Sequence, residues 1–217
     1  IWAEHSWTGE LAQAGVVSPI PMAKALRDQL RPGALLGFTY GAKVYGLPVQ
    51  SENVALVTNG ELVPKPVVSF DELVNNKVFR KNAKLIDGWN SSGLLNSSVD
   101  VNAARDAFLS GRTPFWITGQ WSTNDLQGLK FTYFVSTVPN IVQGLPTSPF
   151  LGVKGFMLTK FAAEHGVEPD ALGLLRKGLS KPDLQSKIAA LSGRVPANTN
   201  APMNRLAQAF AVAGAQG

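Results

Sequence analysis

The sequence contains no cysteine, two histidines and no long apolar run, and each shortage excludes a class of protein. Without cysteine, the chain forms neither a disulfide framework nor a zinc–thiolate site. His5 and His165 are far apart in the sequence, which argues against a metal site built without several carboxylates. No apolar segment reaches the roughly 20 residues of a membrane-spanning helix, and no secretory leader is recognisable. We expect neither a metal nor any other cofactor.

Charge of one sign is also not concentrated anywhere along the 217 residues. The chain has 20 Lys and Arg against 15 Asp and Glu, a net charge of +5, but the basic residues are spread among apolar ones at solvent-facing spacings. This distribution is typical of solvated helix faces rather than of a nucleic-acid or membrane-surface patch. With 45% hydrophobic and 16% charged residues, the composition is that of a globular protein, and we expect no nucleic-acid partner.

Hydrophobic periodicity and turn residues predict alternating helices and strands. Thr8, Ser69 (with Glu72 in a capping box) and Ser180 are predicted helix N-caps. The predicted helices cover residues 9–14, 22–30 (ended by Pro32), 69–76, 100–109, 172–179, the segment after Ser180, and 202–212; the predicted strands cover 43–50, 53–58, 113–118, 131–138 and 152–159. The alternation predicts an α/β architecture with largely parallel sheets. Residues 90–99 are predicted to be a loop, a linker or a join.

Five stretches, taken in order, carry a resemblance to a known family. They are IWAEHSWTGELAQAG at 1–15, YGLPVQSENVAL at 45–56, AFLSGR at 107–112 with ITGQW at 117–121, PFLG at 149–152, and RVPAN at 194–198. The chain resembles the sugar-binding extracellular solute-binding proteins of ABC importers, the maltose-binding-protein-like family. The resemblance covers nearly the whole chain, and agreement in order is more specific than any single stretch.

This resemblance implies a two-lobed type II periplasmic-binding-protein fold with discontinuous lobes. The first lobe would comprise residues 1–50 and 152–195, and the second 53–149 and 198–217, with hinges near 50–53, 149–152 and 195–198. The fold would be incomplete, because family members have further elements before Ile1, near residues 90–100 and after Gly217. The chain would then be either a truncated protein or separate segments joined end to end. The second is favoured because both lobes would otherwise lack core elements.

The resemblance also implies which side chains contact a ligand. A sugar site needs an aromatic ring for the apolar face of a pyranose and polar side chains for its hydroxyls. Trp121 follows a predicted strand at the position of the family's ligand-stacking tryptophan, although a tryptophan there could equally pack a core. Glu52, between two predicted strands at the first hinge, could accept hydrogen bonds from hydroxyls, or could pair with a lysine or stay solvated.

Further predicted ligand contacts come from the loop after the first strand and from the later hinge segments. In that loop Ser6 and Trp7 replace the family's charged pair, a departure that weakens the case for maltose itself. Trp116 is assigned to the core, and Trp89 could face a ligand in the complete protein. The remaining predicted cleft residues are His5, Gln120, Phe150, Gly155 and Phe156.

The function implied is the capture of a carbohydrate between two lobes and its delivery to the permease of an ABC importer. The protein would be a monomer located outside the cytoplasm, in the periplasm or on the cell surface, with membrane contact only through a lipid anchor. Two alternatives stay open: the same fold binding a non-sugar solute such as a polyamine or a glycerophosphodiester, and a glycoside-processing enzyme. The enzyme is disfavoured because Glu52 has no obvious second acid in a comparable setting.

Overall fold

A computed structural model of the chain describes residues 1–77, 91, 100–140 and 147–214. Within them, strands and helices are interspersed along the chain. The strands are β1 (Trp2–Glu4), β2 (Val17–Ser18), β3 (Thr39–Tyr40), β4 (Lys43–Val44), β5 (Gly46–Glu52), β6 (Val54–Asn59), β7 (Phe115–Gly119), β8 (Tyr133–Ser136), β9 (Gly152–Thr159) and β10 (Val195–Pro196). The helices are α1 (Thr8–Gln13), α2 (Lys24–Arg27), α3 (Pro32–Gly37), α4 (Phe70–Asn75), α5 (Val101–Leu109), α6 (Thr123–Gln127), α7 (Phe161–Glu164), α8 (Glu168–Gly173), α9 (Pro182–Ser192) and α10 (Arg205–Ala213).

The chain divides into two compact units, each made of two segments. The first unit comprises Ile1–Asn53 and Leu151–Gln208, and the second comprises Val54–Phe150 and Ala209–Gly217. The first unit includes Asn198, whose amide N–H donates to Gln185 Oε1 at 2.8 Å and whose side chain donates to Ser180 O at 3.1 Å. The lobe boundaries and hinges inferred from the sequence stay a prediction.

The sheet of the first unit has the order β1-β9-β5-β10, and β2 also pairs with β9. Strand β9 is its centre, with Ala3 opposite Gly155 on one side and Glu52 opposite Gly152 on the other. The core beneath the sheet is apolar, with Phe38, Leu47, Val153 and Met157 fully buried. Burial of such side chains contributes about 1.5–3 kcal/mol each, which makes this core the main stabilising feature of the unit.

The second unit contains a three-stranded sheet of order β7-β6-β8. Phe108 on α5 is fully buried and lies against the rings of Trp116 and Phe131, with centroids 5.6 and 5.7 Å away. The assignment of Trp116 to the core is confirmed. A second apolar cluster contains Leu56, Val63, Val67 and Leu73.

The prediction of largely parallel sheets is wrong, because all strand pairings in the described ranges are antiparallel. Strands β1 and β5 do run in the same direction, but β9 is inserted between them and runs opposite to both. In the second unit β6 separates β7 and β8 in the same way. Alternation of helices and strands in a sequence does not reveal such an insertion.

Several predicted helix ends differ from the structure. Pro32 begins α3 instead of ending the preceding helix, as its fixed φ and missing N–H allow, and the helix before it shortens to α2. The Thr8 hydroxyl donates to Gly37 O at 3.0 Å and the Ser180 hydroxyl donates to Arg176 O, so neither residue caps a helix. The Ser69 cap is confirmed, since its Oγ accepts from the N–H of Glu72 at 3.1 Å.

Two further predicted helices also begin or continue differently. Residues 172–179 divide between the end of α8 and a π-helical segment, Leu174–Leu179. The last helix begins at Arg205 rather than at residue 202. Trp89 and, of the predicted loop, residues 90 and 92–99 lie outside the described residues.

Candidate functional site

Trp121 projects from a short 3₁₀ turn, Gln120–Ser122, that joins β7 to α6. Both its neighbours in this turn are buried, and side-chain hydrogen bonds fix the turn. Ser122 Oγ lies 2.8 Å from Thr118 Oγ1, and Thr123 Oγ1 donates to Gln120 O at 2.7 Å. The indole itself is 50% exposed. The structure therefore presents one large aromatic ring to solvent on a turn that is held from both sides.

Gln120, predicted to line the cleft, is fully buried in the second unit. A buried side chain of this kind supports the turn that carries Trp121 rather than offering an amide to a ligand. Phe150 is the last residue of the long segment of this unit and is well exposed. Of the predicted contacts in the second unit, Trp121 and Phe150 are thus the ones that solvent reaches.

In the first unit, His5, Ser6 and Trp7 form a 3₁₀ turn directly after β1. His5 Nδ1 accepts a hydrogen bond from the backbone N–H of Val153 at 3.1 Å, so this nitrogen carries no proton. That bond fixes the start of the turn to β9. Ser6 and Trp7 are exposed, Trp7 to 50%. The turn is therefore anchored at its histidine and open at its serine and tryptophan.

Gly155 and Phe156 lie on the central strand β9 and are engaged in packing. A Cβ at Gly155 would lie 2.2 Å from Leu47 O and 2.9 Å from the Phe38 ring, so only glycine fits there. Phe156 packs against the core, and its ring meets that of Trp2 edge-on at 4.9 Å. In this structure both residues bring strands together.

Glu52, the last residue of β5, is enclosed by basic side chains. Its Oε2 accepts a hydrogen bond from Arg194 Nε, and its Oε1 lies 3.6 Å from Lys154 Nζ. The Glu52 side chain is 13% exposed. Of the roles open to Glu52 in the sequence, the structure supports an ion pair, with Arg194 as the principal partner and Lys154 as the more distant one.

The start of β9 is where several of these residues meet. Glu52 is the cross-strand partner of Gly152, and His5 bonds the next residue, Val153. Lys154 then faces Glu4 across the β1 pairing. Sequence reasoning missed Arg194 and Lys154 as members of this group, because Arg194 is 142 residues from Glu52 and nothing local marks the pair.

The described part of the chain holds no group of three or more His, Asp or Glu side chains arranged to bind a metal ion. Nor does any helix in those ranges have the length and apolarity needed to cross a membrane.

A family model described as bacterial extracellular solute-binding protein matches residues 1–99 of the chain. The maltotriose-binding protein of Pyrococcus abyssi (strain GE5 / Orsay) is 24% identical, over 90% of this chain and 53% of that protein. The galactooligosaccharide-binding protein of Bacillus subtilis (strain 168) is 25% identical over 41% of this chain and 22% of its own length. The chain thus spans about half the length of the maltotriose-binding protein and less of the galactooligosaccharide-binding protein.

Solved structures agree with these relatives. A cyclo/maltodextrin-binding protein complexed with maltotetraose matches 100% of this chain and 70% of its own, with a TM-score of 0.75 and 21% identity. A Staphylococcus aureus extracellular solute-binding protein in complex with maltose matches 99% of this chain and 70% of its own, with a TM-score of 0.74 and 19% identity. A Thermus thermophilus maltotriose-binding protein, bound with maltotriose, matches 99% of this chain and 71% of its own, with a TM-score of 0.70 and 21% identity.

The likeness to the solved structures confirms the predicted fold class, an α/β fold of the maltose-binding type that spans only part of those proteins. The family model and the curated relatives agree with it. The resemblance inferred from the sequence is therefore confirmed: in sequence and in fold, this chain is similar to the extracellular solute-binding proteins of the sugar-binding type.

Proposed function

We propose that the chain is the substrate-binding component of an ABC importer, which captures a short neutral oligosaccharide and delivers it to a membrane permease. The observation that carries this proposal is Trp121, a half-exposed indole on a turn whose other residues are buried and hydrogen-bonded. A pyranose ring offers an apolar face that stacks on such a surface. A ring carried on a fixed turn loses less conformational entropy on binding than one carried on a mobile loop, which favours a ligand platform.

The relatives support the ligand class. The proteins named above bind maltotriose, maltotetraose or maltose, or are named for galactooligosaccharides, all of them neutral sugars built of few units. Because Ser6 and Trp7 replace the family's charged pair, we propose an oligosaccharide without committing to maltose. The exposed Trp7 and Phe150 supply further apolar surface for sugar rings.

A charged solute is less well served by the described residues. A phosphate group would need unpaired arginines. Arg194, which lies beside the end of β5, is already paired with Glu52. A polyamine would need several free carboxylates, and Glu52 is neutralised by its basic neighbours. Arg194 and Glu52 are therefore not the groups that a charged solute would use, and the relatives favour a neutral carbohydrate.

The mechanism we propose is binding without chemistry. Closure of two lobes on the ligand, with bending at the predicted hinges, would produce the form that the permease recognises. The matched relatives are binding proteins, which agrees with a chain that is not an enzyme. We place it outside the cytoplasm, in keeping with the extracellular family whose model it matches.

The test is calorimetric titration of the full-length protein and of W121A against maltotriose, a galactooligosaccharide, spermidine and a glycerophosphodiester. The matched control is W2A, which removes a tryptophan of similar exposure that packs on Phe156. A tryptophan at the centre of a binding site contributes about 2 kcal/mol or more, so we expect W121A to weaken sugar binding about 30-fold or more. We expect W2A to leave the affinity within about threefold.

The outcomes separate the alternatives. Sugar binding that W121A loses, with unchanged thermal unfolding, supports the proposed function and the stacking role of Trp121. Binding of spermidine or of the glycerophosphodiester alone would replace the carbohydrate by a charged solute. Release of shorter sugars during the titration would indicate an enzyme.

A further inference from the structure

The helices of the first unit include a π-helical segment, Leu174–Leu179, which continues α8. The N–H of Ser180 donates to the carbonyl five residues earlier at 3.2 Å, the spacing that defines a π-helix. Fully buried side-chain amides bind the last carbonyls of this turn. Gln185 donates to Leu179 O at 3.1 Å, and Asn198 donates to Ser180 O at 3.1 Å. Such segments are rare and frequently lie at functional sites, so the groups that this one carries require an explanation.

Arg176, within this segment, is a partly buried arginine whose guanidinium lacks a counter-charge. Its Nε is shielded from solvent and has no hydrogen-bond acceptor. No carboxylate in the described ranges forms an ion pair with it. The other partly buried arginines of those ranges are all bound, Arg31 to Pro196 O, Arg105 to Asp125 and Arg194 to Glu52. A buried donor without an acceptor is destabilising, so Arg176 is the exception that needs a partner.

Helix electrostatics alone do not account for Arg176. Basic side chains near the end of a helix complement the negative end of its dipole, and Lys177 does so from an exposed position. An arginine that served only the dipole could keep its Nε in water as well. The enclosed and unbonded Nε indicates instead that the guanidinium is held in place for an anion, which its planar fork of donors can bind through two hydrogen bonds.

Arg176 lines a groove along one side of α8 and the π-helical segment. The groove has a volume of about 460 Å³ and is lined by Glu168, Pro169, Leu172, Gly173, Arg176 and Lys177. Gly173 leaves space in it, because an added Cβ there would have no atom within 4 Å. Lys177 places a second positive charge beside Arg176, whereas Glu168 lies about 12 Å away along the helix axis. One end of the groove is therefore cationic, and its middle is apolar and open.

We propose that this groove is a binding site for a phosphate group. The Arg176 guanidinium would donate to two phosphate oxygens and the Lys177 ammonium would add charge, so that two cations match a dianion better than a singly charged carboxylate. Pro169 and Leu172 supply an apolar wall for an organic group that carries the phosphate. None of the residues predicted to contact the sugar lines this groove. The site is therefore separate from that of the transported solute, and the inference does not depend on the proposed function.

The test is thermal unfolding and calorimetric titration of the full-length protein with inorganic phosphate, against sodium chloride at equal ionic strength. For a dissociation constant on the order of 1 mM, about 10 mM phosphate should raise the Tm by about 3–6 °C. Because hydrogen bonds to charged groups are among the stronger ones, we expect R176M to weaken phosphate binding about tenfold or more. The matched control is R27M, which removes an exposed arginine of the same unit at the end of α2 and should leave the phosphate response unchanged.

R176M also separates binding from structural support. Since the substitution removes an unbonded buried donor, R176M without phosphate should unfold at the same Tm as the wild type or higher. Its affinity for maltotriose should equal that of the wild type. A loss of sugar affinity in R176M would place Arg176 at the solute site and overturn the separate phosphate site.

G173L provides a second variant that keeps both cations and fills the groove instead. Gly173 has ordinary helical φ, so leucine fits its backbone, and the side chain would occupy the open middle of the groove. We expect G173L to weaken phosphate binding about tenfold while the protein stays folded. If R176M does not fold, G173L alone decides between a bound phosphate and a general effect of salt.

The outcomes are distinct. A phosphate response that is lost in R176M and G173L and kept in R27M supports the site, and a titration with glycerol 3-phosphate then shows whether an organic phosphate binds more tightly than the free ion. An equal response to sodium chloride, or an equal phosphate response in R176M and G173L, would mean a general salt effect and overturn the proposal. A wild-type protein without any response to about 20 mM phosphate would overturn it as well.

Discussion

Replacing Gly155 with alanine tests whether this glycine packs the sheet or lines a ligand site. The added Cβ would lie 2.2 Å from Leu47 O, whereas real Cβ atoms essentially never come within 3.0 Å of another atom. The obstacle is a backbone oxygen on β5, the hydrogen-bonded neighbour of β9, so relief requires the two strands to separate. Overpacking in a core costs typically 1–3 kcal/mol, and a backbone clash places this variant at the upper end, at about 3 kcal/mol.

The assay is urea unfolding of G155A beside G173A. Gly173 ends α8 with ordinary helical φ and nothing within 4 Å of an added Cβ, so alanine there should stabilise the protein by about 0.5–1 kcal/mol. For a chain of this size, a loss of about 3 kcal/mol corresponds to a fall in Tm of roughly 6–12 °C. If G155A unfolds like the wild type but loses sugar affinity, the packing argument is refuted and the ligand-lining role predicted from the sequence is supported.

Two further variants test the second unit. F108A should lower the free energy of unfolding by about 3–5 kcal/mol, because it empties a fully buried site between two aromatic rings. The control I117A, at an exposed position, should cost under about 1 kcal/mol. Equal losses in the two variants would contradict the placement of Phe108 in the core. D125N removes a carboxylate whose pKa is lowered, first of all by its hydrogen bonds from Arg105 at 2.9 and 2.6 Å. Its stabilisation is present above the unfolded pKa of about 3.9 and is lost as the pH falls through the lower folded value, so urea midpoints of D125N and wild type should differ at pH 7 and converge below about pH 4. A gap that does not narrow as the pH falls below about 4 would contradict this assignment.

The features that the sequence predicts well depend on residues close together along the chain. The Ser69 cap requires only its own turn, the end of α9 follows from Gly193, and β9 has the predicted limits. The exposure of Trp121 fits its predicted position after a strand. Such features are predictable because the interactions that create them span a few residues.

The features that the sequence does not reveal depend on contacts between distant segments. The antiparallel insertion of β9 between β1 and β5 joins residues about 100 or more apart, and the Glu52–Arg194 pair spans 142. The burial of Gln120 and the clash that reserves Gly155 for glycine are likewise set by neighbours that no local pattern announces. The exposure of Trp7, Trp121 and Phe150 was therefore predictable, whereas the packing of Phe156 and the burial of Gln120 were not.

The central place of β9 also dictates an order of assembly. Strands β6, β7 and β8, which form the described sheet of the second unit, all lie between residues 54 and 136, so these three strands can pair once this stretch of chain exists. The sheet of the first unit has no centre until residues 152–159 have been synthesised, because β1 and β5 pair with β9 and not with each other. Pairing β5 with β9 closes a loop of about 100 residues, whose entropic cost comes before the stabilisation from core packing, and such non-local pairing is slow. During synthesis from the N-terminus, β1 and β5 therefore leave the ribosome before β9, the strand with which both pair, has been made. The β7-β6-β8 sheet of the second unit can form in the meantime.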